Sequence, residues 1–234
     1  MTDKGVIRKR KMDEGNMLYS VDEAQTKLYS ALAEELGFKY LKSQKCIKKV
    51  VNNLIFEFDF YSSKWNKSGE KVNIEAAFVI MNKKYGKQRI DCVIAEKMYR
   101  PGAESGYWYD ISTQKSLEKT YYILLEEFKT AVDLCARFEA DYNLAVKYLY
   151  ENLFEEFHVF LDFVADTLGM DAVREKAKKL YADIPKKDIE LYKNNTDAIN
   201  RMIKEHKYWQ LEGIQSWMIN RSNWKFIMDN ELGI

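Results

Sequence analysis

The spacing of apolar residues changes from a helical to a strand period after Gly37, and it returns to a helical period after about residue 113. Apolar residues three or four apart share one face of a helix, whereas alternate residues share one face of a strand. A chain with this order of periods is expected to fold as an α+β protein. We predict an N-terminal helix on an antiparallel sheet of about five strands, followed by an all-helical C-terminal half.

The first helix has clear signals at both ends. Ser20 and Glu23 form a capping box, in which the hydroxyl and the carboxylate satisfy backbone amides reciprocally. Gly37 is the residue expected to end the helix, because glycine adopts the left-handed conformation of a C-terminal cap without strain. The sequence therefore predicts a helix from about residue 21 to residue 36.

Three apolar rows with a period of two follow in the stretch LIFEFDFYSSKWNKSGEKVNIEAAFVIMNKKYGKQRIDCVIAEK. The turn-like segments between the rows predict an antiparallel meander. A strand before them, joined through a tight Asn52-Asn53 turn, places Lys48 opposite Glu57, and GYWYDIS supplies a fifth strand at the end of the sheet. The rows are Leu54, Phe56, Phe58 and Phe60; Val72, Ile74, Ala76, Phe78 and Ile80; and Ile90, Cys92 and Ile94.

The rest of the chain has a helical period. One amphipathic stripe runs from Leu117 to Cys135, and the segment after it, to Gly169, predicts a long helix that is apolar around most of its circumference. Such a helix is central in the fold or buried by self-association. Pro185 opens a later helix, and the last segment places three tryptophans on one helical face. We predict a flexible tail at 1–19, an α+β domain at 20–138 and a helical extension at 139–234.

Composition limits the classes of function. The chain has 37 basic and 36 acidic residues and a formal net charge of +1, which argues against a dedicated nucleic-acid binder. The basic run RKRK at 8–11 is flanked by acidic residues and is read as part of a solvated tail. The opening residues hold no apolar signal region and no apolar run is long enough for a membrane span, so we expect a cytoplasmic protein.

Two sets of side chains are candidates for a metal site. Glu155 and His158, with Asp162 one turn on, resemble half of a di-iron carboxylate motif, but no second Glu-x-x-His exists to complete it. A polar stripe on an aromatic helix is the simpler interpretation. The three cysteines lack the spacing of a usual zinc site.

The second set of candidates is a group of carboxylates on the sheet. Glu57 and Asp59 share a strand face, and the predicted register places Asp59 opposite Glu75. A metal-assisted hydrolase or nuclease could use such a group, although no catalytic lysine follows Glu75 at the spacing that a nuclease requires. A solvated face is the interpretation that the sequence favours. An apolar strip on the same face, Ala77 to Met81, requires cover from a helix or a partner.

Aromatic residues cluster near one of the two prolines. The loop after Pro101 leads into Tyr107, Trp108 and Tyr109, and Arg100 precedes it. Tyrosine, tryptophan and arginine are the usual anchors of protein interfaces. These four residues, with Trp217 and Trp224 of the terminal segment, are the candidate partner-binding residues. The alternative is that the next helix packs over Trp108.

The motifs that bind phosphate or arrange a nucleophile are absent from the sequence, which therefore predicts no cofactor. The order of a capped helix, LGFK and LIFEFDFYSSKWNKSGEKVNIEAAFVI resembles an uncharacterised bacterial family of unknown function over residues 20–130. The resemblance implies a small cytosolic α+β domain and carries over no site residues. We expect a non-enzymatic interaction protein, inhibitor-like or immunity-like, that binds a protein partner or itself. The alternative is the metal-assisted hydrolase.

Overall fold

The computed structural model describes residues 18–99, 108–205 and 213–233. It has the predicted α+β class: an N-terminal helix, an antiparallel sheet and a helical C-terminal half. The sheet has the order β1-β2-β3-β4-β5, with β6 paired to β4. Its strands are β1 (Lys39–Leu41), β2 (Cys46–Val51), β3 (Leu54–Ser62), β4 (Asn73–Asn82), β5 (Val93–Tyr99) and β6 (Tyr109–Asp110).

Helices account for most of the remaining described residues. One precedes the sheet, a single-turn helix lies between β4 and β5, and the others follow β6. They are α1 (Val21–Leu36), α2 (Arg89–Cys92), α3 (Gln114–Ala140), α4 (Tyr142–Asn152), α5 (Leu161–Leu168), α6 (Met170–Ala182), α7 (Lys186–Glu205), α8 (Ser216–Ile219) and α9 (Asn223–Asp229).

The contacts divide the chain into two compact units. The described residues of Met1–Val79 and Lys97–Cys135 form the first unit, and those of Ile80–Glu96 and Ala136–Ile234 form the second. The prediction assigned all of 20–138 to one domain. The contacts group the end of β4, the start of β5 and the residues between them with the helical C-terminal part.

Local signals predicted the start of the first unit correctly. Ser20 Oγ accepts a hydrogen bond from Glu23 N at 3.2 Å, and Gly37 ends α1 with φ 68°. Asn52 adopts φ 54° in the turn between β2 and β3. The register that this turn sets pairs Lys48 with Glu57, as predicted.

Aromatic side chains form much of the core of the first unit. The ring of Phe58 stacks on Phe128 of α3 with centroids 4.1 Å apart, and it lies 4.8 Å from the ring of Phe78. Tyr29 of α1 stacks on Phe60 at 4.0 Å. Large apolar groups removed from water contribute about 1.5–3 kcal/mol each, so these contacts fix α1 and α3 on one face of β3.

Two predictions about the sheet were wrong. Ile90 and Cys92 belong to α2 rather than to a strand, and Ile90 is 77% exposed. The GYWYDIS segment forms a strand of two described residues, but it pairs with the start of β4 and not with the last strand of the meander. A short strand, β1, was missed, because three residues are too few for a periodicity to show.

The long helix predicted up to Gly169 is interrupted. It ends as α4 at Asn152, turns through residues 153–160 and resumes as α5 at Leu161. The turn bonds to β5: Glu96 N donates to Phe157 O at 2.7 Å, and Phe160 N donates to Ile94 O at 2.9 Å. These backbone hydrogen bonds to the edge strand replace the hydrogen bonds that a continuous helix would make. The apolar periodicity of one segment does not reveal them.

Candidate functional site

The loop that the sequence singled out enters the described structure at Trp108. Arg100 and Tyr107 lie outside the described residues. The side chain of Trp108 is half-buried, whereas Tyr109 is 3% exposed and faces the core. Of this aromatic run, Trp108 is therefore the described residue that reaches the surface.

The segment after Trp108 is held by side-chain hydrogen bonds. Asp110 Oδ1 accepts from Ser112 N at 2.9 Å and from Ser112 Oγ at 2.5 Å, and Ser112 Oγ accepts from Val72 N at 2.8 Å. Thr120 Oγ1 donates to the Asp110 carbonyl at 2.8 Å. These bonds tie the segment to the beginning of β4 and to the second turn of α3.

A reciprocal cap starts α3. Ser116 N donates to Thr113 Oγ1 at 3.1 Å, and Thr113 N donates to Ser116 Oγ at 3.0 Å. This is the arrangement of a capping box with serine in place of the usual glutamate. The first turns of α3 therefore have a fixed position relative to Trp108.

These two elements enclose a recess of about 400 Å³, which we call the Trp108 recess. Two of its lining residues, Lys115 and Lys119, are exposed and lie one turn apart on α3. Neither ammonium group forms an ion pair with the described part of the chain. The lining residues are Trp108, Tyr109, Asp110, Thr113, Lys115, Ser116, Lys119, Thr120 and Ile123.

A buried tyrosine fixes β6 to the same helix. The hydroxyl of Tyr109 donates a hydrogen bond to Glu127 of α3. Burial, and then the bond to the Glu127 carboxylate, raises the pKa of Tyr109 well above its usual value. Tyr109 is therefore a buried residue that anchors β6 to α3. It is not the surface contact that the sequence suggested.

A second cluster of functional groups lies on β2 and β3. Cys46, Glu57 and Asp59 have ligand atoms that all lie within 4.8 Å of one another. Burial, and then the charges of Glu57 and Asp59, raises the pKa of the Cys46 thiol to about 12. Lys48 Nζ lies 3.6 Å from Glu57 Oε2.

This cluster differs from the predicted carboxylate face. Glu57 is 3% exposed, so the expectation of a solvated face was wrong for this side chain. Glu75, which the sequence placed opposite Asp59, is not part of the cluster. The apolar strip near it is buried within the chain, since Ala77, Val79 and Met81 are at most 4% exposed.

The Glu155-x-x-His158 pattern is not on a helix. Both residues lie in the turn between α4 and α5, where His158 has φ 40°. Asp162 is bound through both carboxylate oxygens by Arg221, at 2.6 and 2.7 Å. The helical half-motif is therefore absent, and the cluster around Cys46 is the only group of three metal-ligating side chains that the described ranges bring together.

Arg221 is a structural centre of the second unit. Its guanidinium also donates to the carbonyl oxygens of Asp91 and Val93, and it lies 4.4 Å from the ring centroids of Tyr85 and Phe160. A planar guanidinium can combine bidentate hydrogen bonding with ring stacking, which an ammonium group cannot. Asp162 therefore stabilises the second unit through its ion pair with Arg221.

The two terminal tryptophans pack within the second unit. Trp217 stacks on Tyr192 with centroids 5.4 Å apart and meets Trp224 edge-on at 5.7 Å. Both indoles are partly buried, and Trp209 lies outside the described residues. Separate short helices, α8 and α9, carry Trp217 and Trp224, so the predicted single helical face is wrong.

A larger cavity of about 660 Å³ lies nearby in the same unit, between α7 and the C-terminal residues. One wall is a closed network in which Lys225 bonds both Tyr192 and Asp229, and the Tyr192 hydroxyl donates to Asp229. Burial, and then the bond to Asp229, raises the pKa of Tyr192. The polar groups of this wall are therefore already engaged with one another.

Sequence reasoning missed three residues of these sites. Lys115 and Lys119 were not among the predicted binding residues, although two lysines four apart on the helix that follows an aromatic run were a visible signal. Cys46 was not among the predicted metal ligands, because the three cysteines lack the spacing of a usual zinc site. The predicted hairpin register already placed Cys46 opposite Asp59, and that pairing could have identified it.

No protein-family model matches the sequence, and no similar protein was found among the curated proteins or the solved structures. The resemblance to a bacterial family of unknown function therefore stays a prediction. Among the described helices, none combines the length and the apolar character that crossing a membrane requires.

Proposed function

We propose that this protein is a non-enzymatic binding protein that holds an acidic segment of a partner protein in the Trp108 recess. The observation that carries the proposal is that one half-buried tryptophan and two lysines without ion pairs among the described residues line the same recess. Tryptophan is enriched among the residues that dominate binding energy in protein interfaces. Lysines beside such an anchor select for a partner of opposite charge.

The recess is suited to binding because its walls are already ordered. The hydrogen bonds of Asp110, Ser112 and Thr120 fix one wall, and the cap of Thr113 and Ser116 fixes the other. A partner therefore does not bear the entropic cost of ordering these segments. Asp110 is the one carboxylate in the lining, and its Oδ1 accepts a hydrogen bond from Ser112 N. Two ammonium groups against one carboxylate leave the recess with a net positive charge.

The charges favour an acidic partner segment over a nucleic acid. Nucleic-acid sites use extended basic surfaces that track a phosphate backbone, and the whole chain has a net charge of +1. A recess of about 400 Å³ with two lysines fits a short peptide segment with an apolar side chain flanked by carboxylates. A cytosolic inhibitor-like or immunity-like protein of bacterial origin would bind in this way.

The alternative, a metal-assisted hydrolase using Glu57, Asp59 and Glu75, has less support. Glu57 is 3% exposed, and Glu75 lies outside the cluster that contains the other two carboxylates. A hydrolytic centre needs an open coordination position that substrate can reach. The buried position of Glu57 does not provide such access.

The test is a peptide-display selection against the full-length protein. We expect the selected peptides to be rich in Asp and Glu around one aromatic or aliphatic residue. Their affinity should fall about 30-fold or more in Trp108→Ala, since an interface anchor contributes about 2 kcal/mol or more. It should also fall in the double variant Lys115→Glu/Lys119→Glu, and it should weaken as salt rises.

Two matched variants control for general effects. Trp65→Ala removes a tryptophan that is 76% exposed and lies outside the recess, and Lys178→Glu/Lys179→Glu makes the same charge change on α6. Both should bind as the wild type does. Peptides without acidic enrichment, equal losses in the control variants, or unfolding of Trp108→Ala would each reject the proposal.

A further inference from the structure

We propose that Cys46, Glu57 and Asp59 form a binding site for a zinc-like divalent cation. The site lies on β2 and β3, away from the residues of the Trp108 recess, and it does not depend on the proposed binding function. Its role is structural: a cation held by both strands stabilises the hairpin that they form.

The strand register brings the three donors together. Cys46 and Asp59 are directly opposed in the β2–β3 ladder, so their side chains leave the sheet on the same face. Glu57 lies two residues before Asp59 on β3 and therefore projects from that face as well. Cys46 is fully buried, Glu57 is 3% exposed and Asp59 is half-buried, so the donors lie below the protein surface.

The donor chemistry selects the class of cation. One thiolate and two carboxylates combine a soft ligand with hard ones, which suits Zn²⁺ better than Mg²⁺ or Ca²⁺, because the latter bind all-oxygen sites. Tetrahedral Zn²⁺ with bonds of about 2.0–2.3 Å holds its ligands about 3.3–3.8 Å apart. The donor atoms lie within 4.8 Å of one another, so side-chain rotations that close them by about 1 Å bring three protein ligands to the cation. Water supplies the fourth ligand.

Binding replaces a proton by the metal. The Cys46 thiol loses its proton to solvent as the sulfur–metal bond forms, and no oxidant or reductant takes part. The bound divalent cation stabilises the thiolate and the two carboxylates together.

Contacts that the ligands already make within the protein lower the affinity of the site for the cation. Lys48 Nζ lies 3.6 Å from Glu57 Oε2, and both carboxylates make further contacts within the protein. The cation must displace or share these contacts. Removing the ammonium group with Lys48→Met is therefore expected to strengthen metal binding, since a competing positive charge is lost.

The test is a titration of the metal-free full-length protein with Zn²⁺ by calorimetry and with Co²⁺ by absorption spectroscopy. We expect one equivalent of metal, a thiolate-to-cobalt charge-transfer band in the near ultraviolet, and a Tm that rises with the Zn²⁺ concentration. Cys46→Ser should lose the band. Asp59→Asn should weaken binding by more than the roughly 10–100-fold cost of losing a supporting side chain.

Cys92→Ser is the matched control. Cys92 is a second buried thiol, which donates to the Gly86 carbonyl at 2.9 Å and belongs to no cluster of ligands within residues 18–99, 108–205 and 213–233. This variant should keep the band, the stoichiometry and the Tm shift. A wild type that binds neither metal, a band that persists in Cys46→Ser, or equal affinity in Asp59→Asn would overturn the proposal.

Discussion

At the scale of single residues, Asp166 shows how the second unit uses charge. Lys84 Nζ and the Tyr85 hydroxyl donate to Asp166 Oδ2 at 2.8 and 2.6 Å. Burial opposes ionisation of this carboxyl, but the hydrogen bonds outweigh it, and the pKa of Asp166 is lowered from its usual value of 3.8. Ionised Asp166 therefore joins α5 to the single-turn helical segment Lys83–Tyr85 that follows β4.

The lowered pKa predicts an acid-dependent loss of stability. Because the folded-state pKa lies below the unfolded value, the contribution of Asp166 is present above pH 3.8 and is lost as the pH falls through the folded value. We expect Asp166→Asn to be less stable than the wild type at neutral pH and to approach it at acid pH. Urea unfolding at a series of pH values measures this difference.

A control with a solvent-exposed carboxylate separates this effect from general acid unfolding. The Asp171 side chain is 94% exposed and pairs with Arg174. Asp171→Asn should change the free energy of unfolding by no more than about 0.5 kcal/mol at neutral pH. A difference between Asp166→Asn and the wild type that stays constant down to the acid limit would contradict the prediction.

Contacts of this kind divide into those that the sequence could predict and those that it could not. The Lys48–Glu57 pair was predicted, because a two-residue turn sets the register of a hairpin. The Arg221–Asp162 pair joins the link between α8 and α9 to α5 across 59 positions of sequence, and no local rule relates the two residues. The Trp108 recess could not be predicted from local rules either. Its two lysines are recognised as lining residues only when α3 is placed beside Trp108.

At the scale of elements, the turn at residues 153–160 is the main departure from the sequence pattern. Apolar periodicity continues through it, but the backbone bonds to β5 and His158 adopts φ 40°. A residue other than glycine incurs about 1–2 kcal/mol in this left-handed region, and a β-branched residue is the least tolerated there. The turn therefore persists because its contacts to the strand outweigh local preference.

This conformation predicts that glycine is more stabilising than isoleucine at position 158, which is the reverse of their usual order in a helix. We expect His158→Gly to be more stable than His158→Ile by about 1–2 kcal/mol, because only glycine adopts positive φ without strain. The same pair of substitutions at Lys178, an exposed position inside α6, should give the opposite order, by about 0.5 kcal/mol. Thermal unfolding of the four variants tests the sign. A higher Tm for His158→Ile than for His158→Gly would show that the turn is not left-handed.

Elements with strong end signals were predicted well. Ser20 and Gly37 delimit α1, and Gly169 ends α5 as expected. The errors fall where hydrogen bonds to a distant segment decide the backbone, as at α2 and at the interrupted helix. Periodicity reports which residues are apolar, but it does not report which sheet edge requires partners.

At the scale of the whole molecule, the predicted class and order of elements were correct, and the charge is nearly balanced. A net charge of +1 gives little long-range repulsion between molecules near neutral pH. Uptake of protons makes any protein more positive as the pH falls. Colloidal behaviour should therefore depend strongly on pH.

We expect the second virial coefficient at low salt to be smallest between about pH 7 and 8 and to rise towards about pH 5, where net positive charge accumulates. Static light scattering on the full-length protein measures it. Added salt should reduce the value at about pH 5 and change it little near neutrality. A coefficient that is larger at neutral pH than at acid pH would show that short-range contacts, rather than net charge, control association.

The interrupted helix has a consequence for fibril formation. If residues 153–160 continued the helix, the Ile94 carbonyl and the Glu96 amide would lose their backbone partners, Phe160 and Phe157. An unpaired strand edge is a template on which another molecule can add a strand, and this addition is the elementary step of amyloid growth. The turn at residues 153–160 thus occupies backbone groups of β5 on which a strand of another molecule could otherwise add.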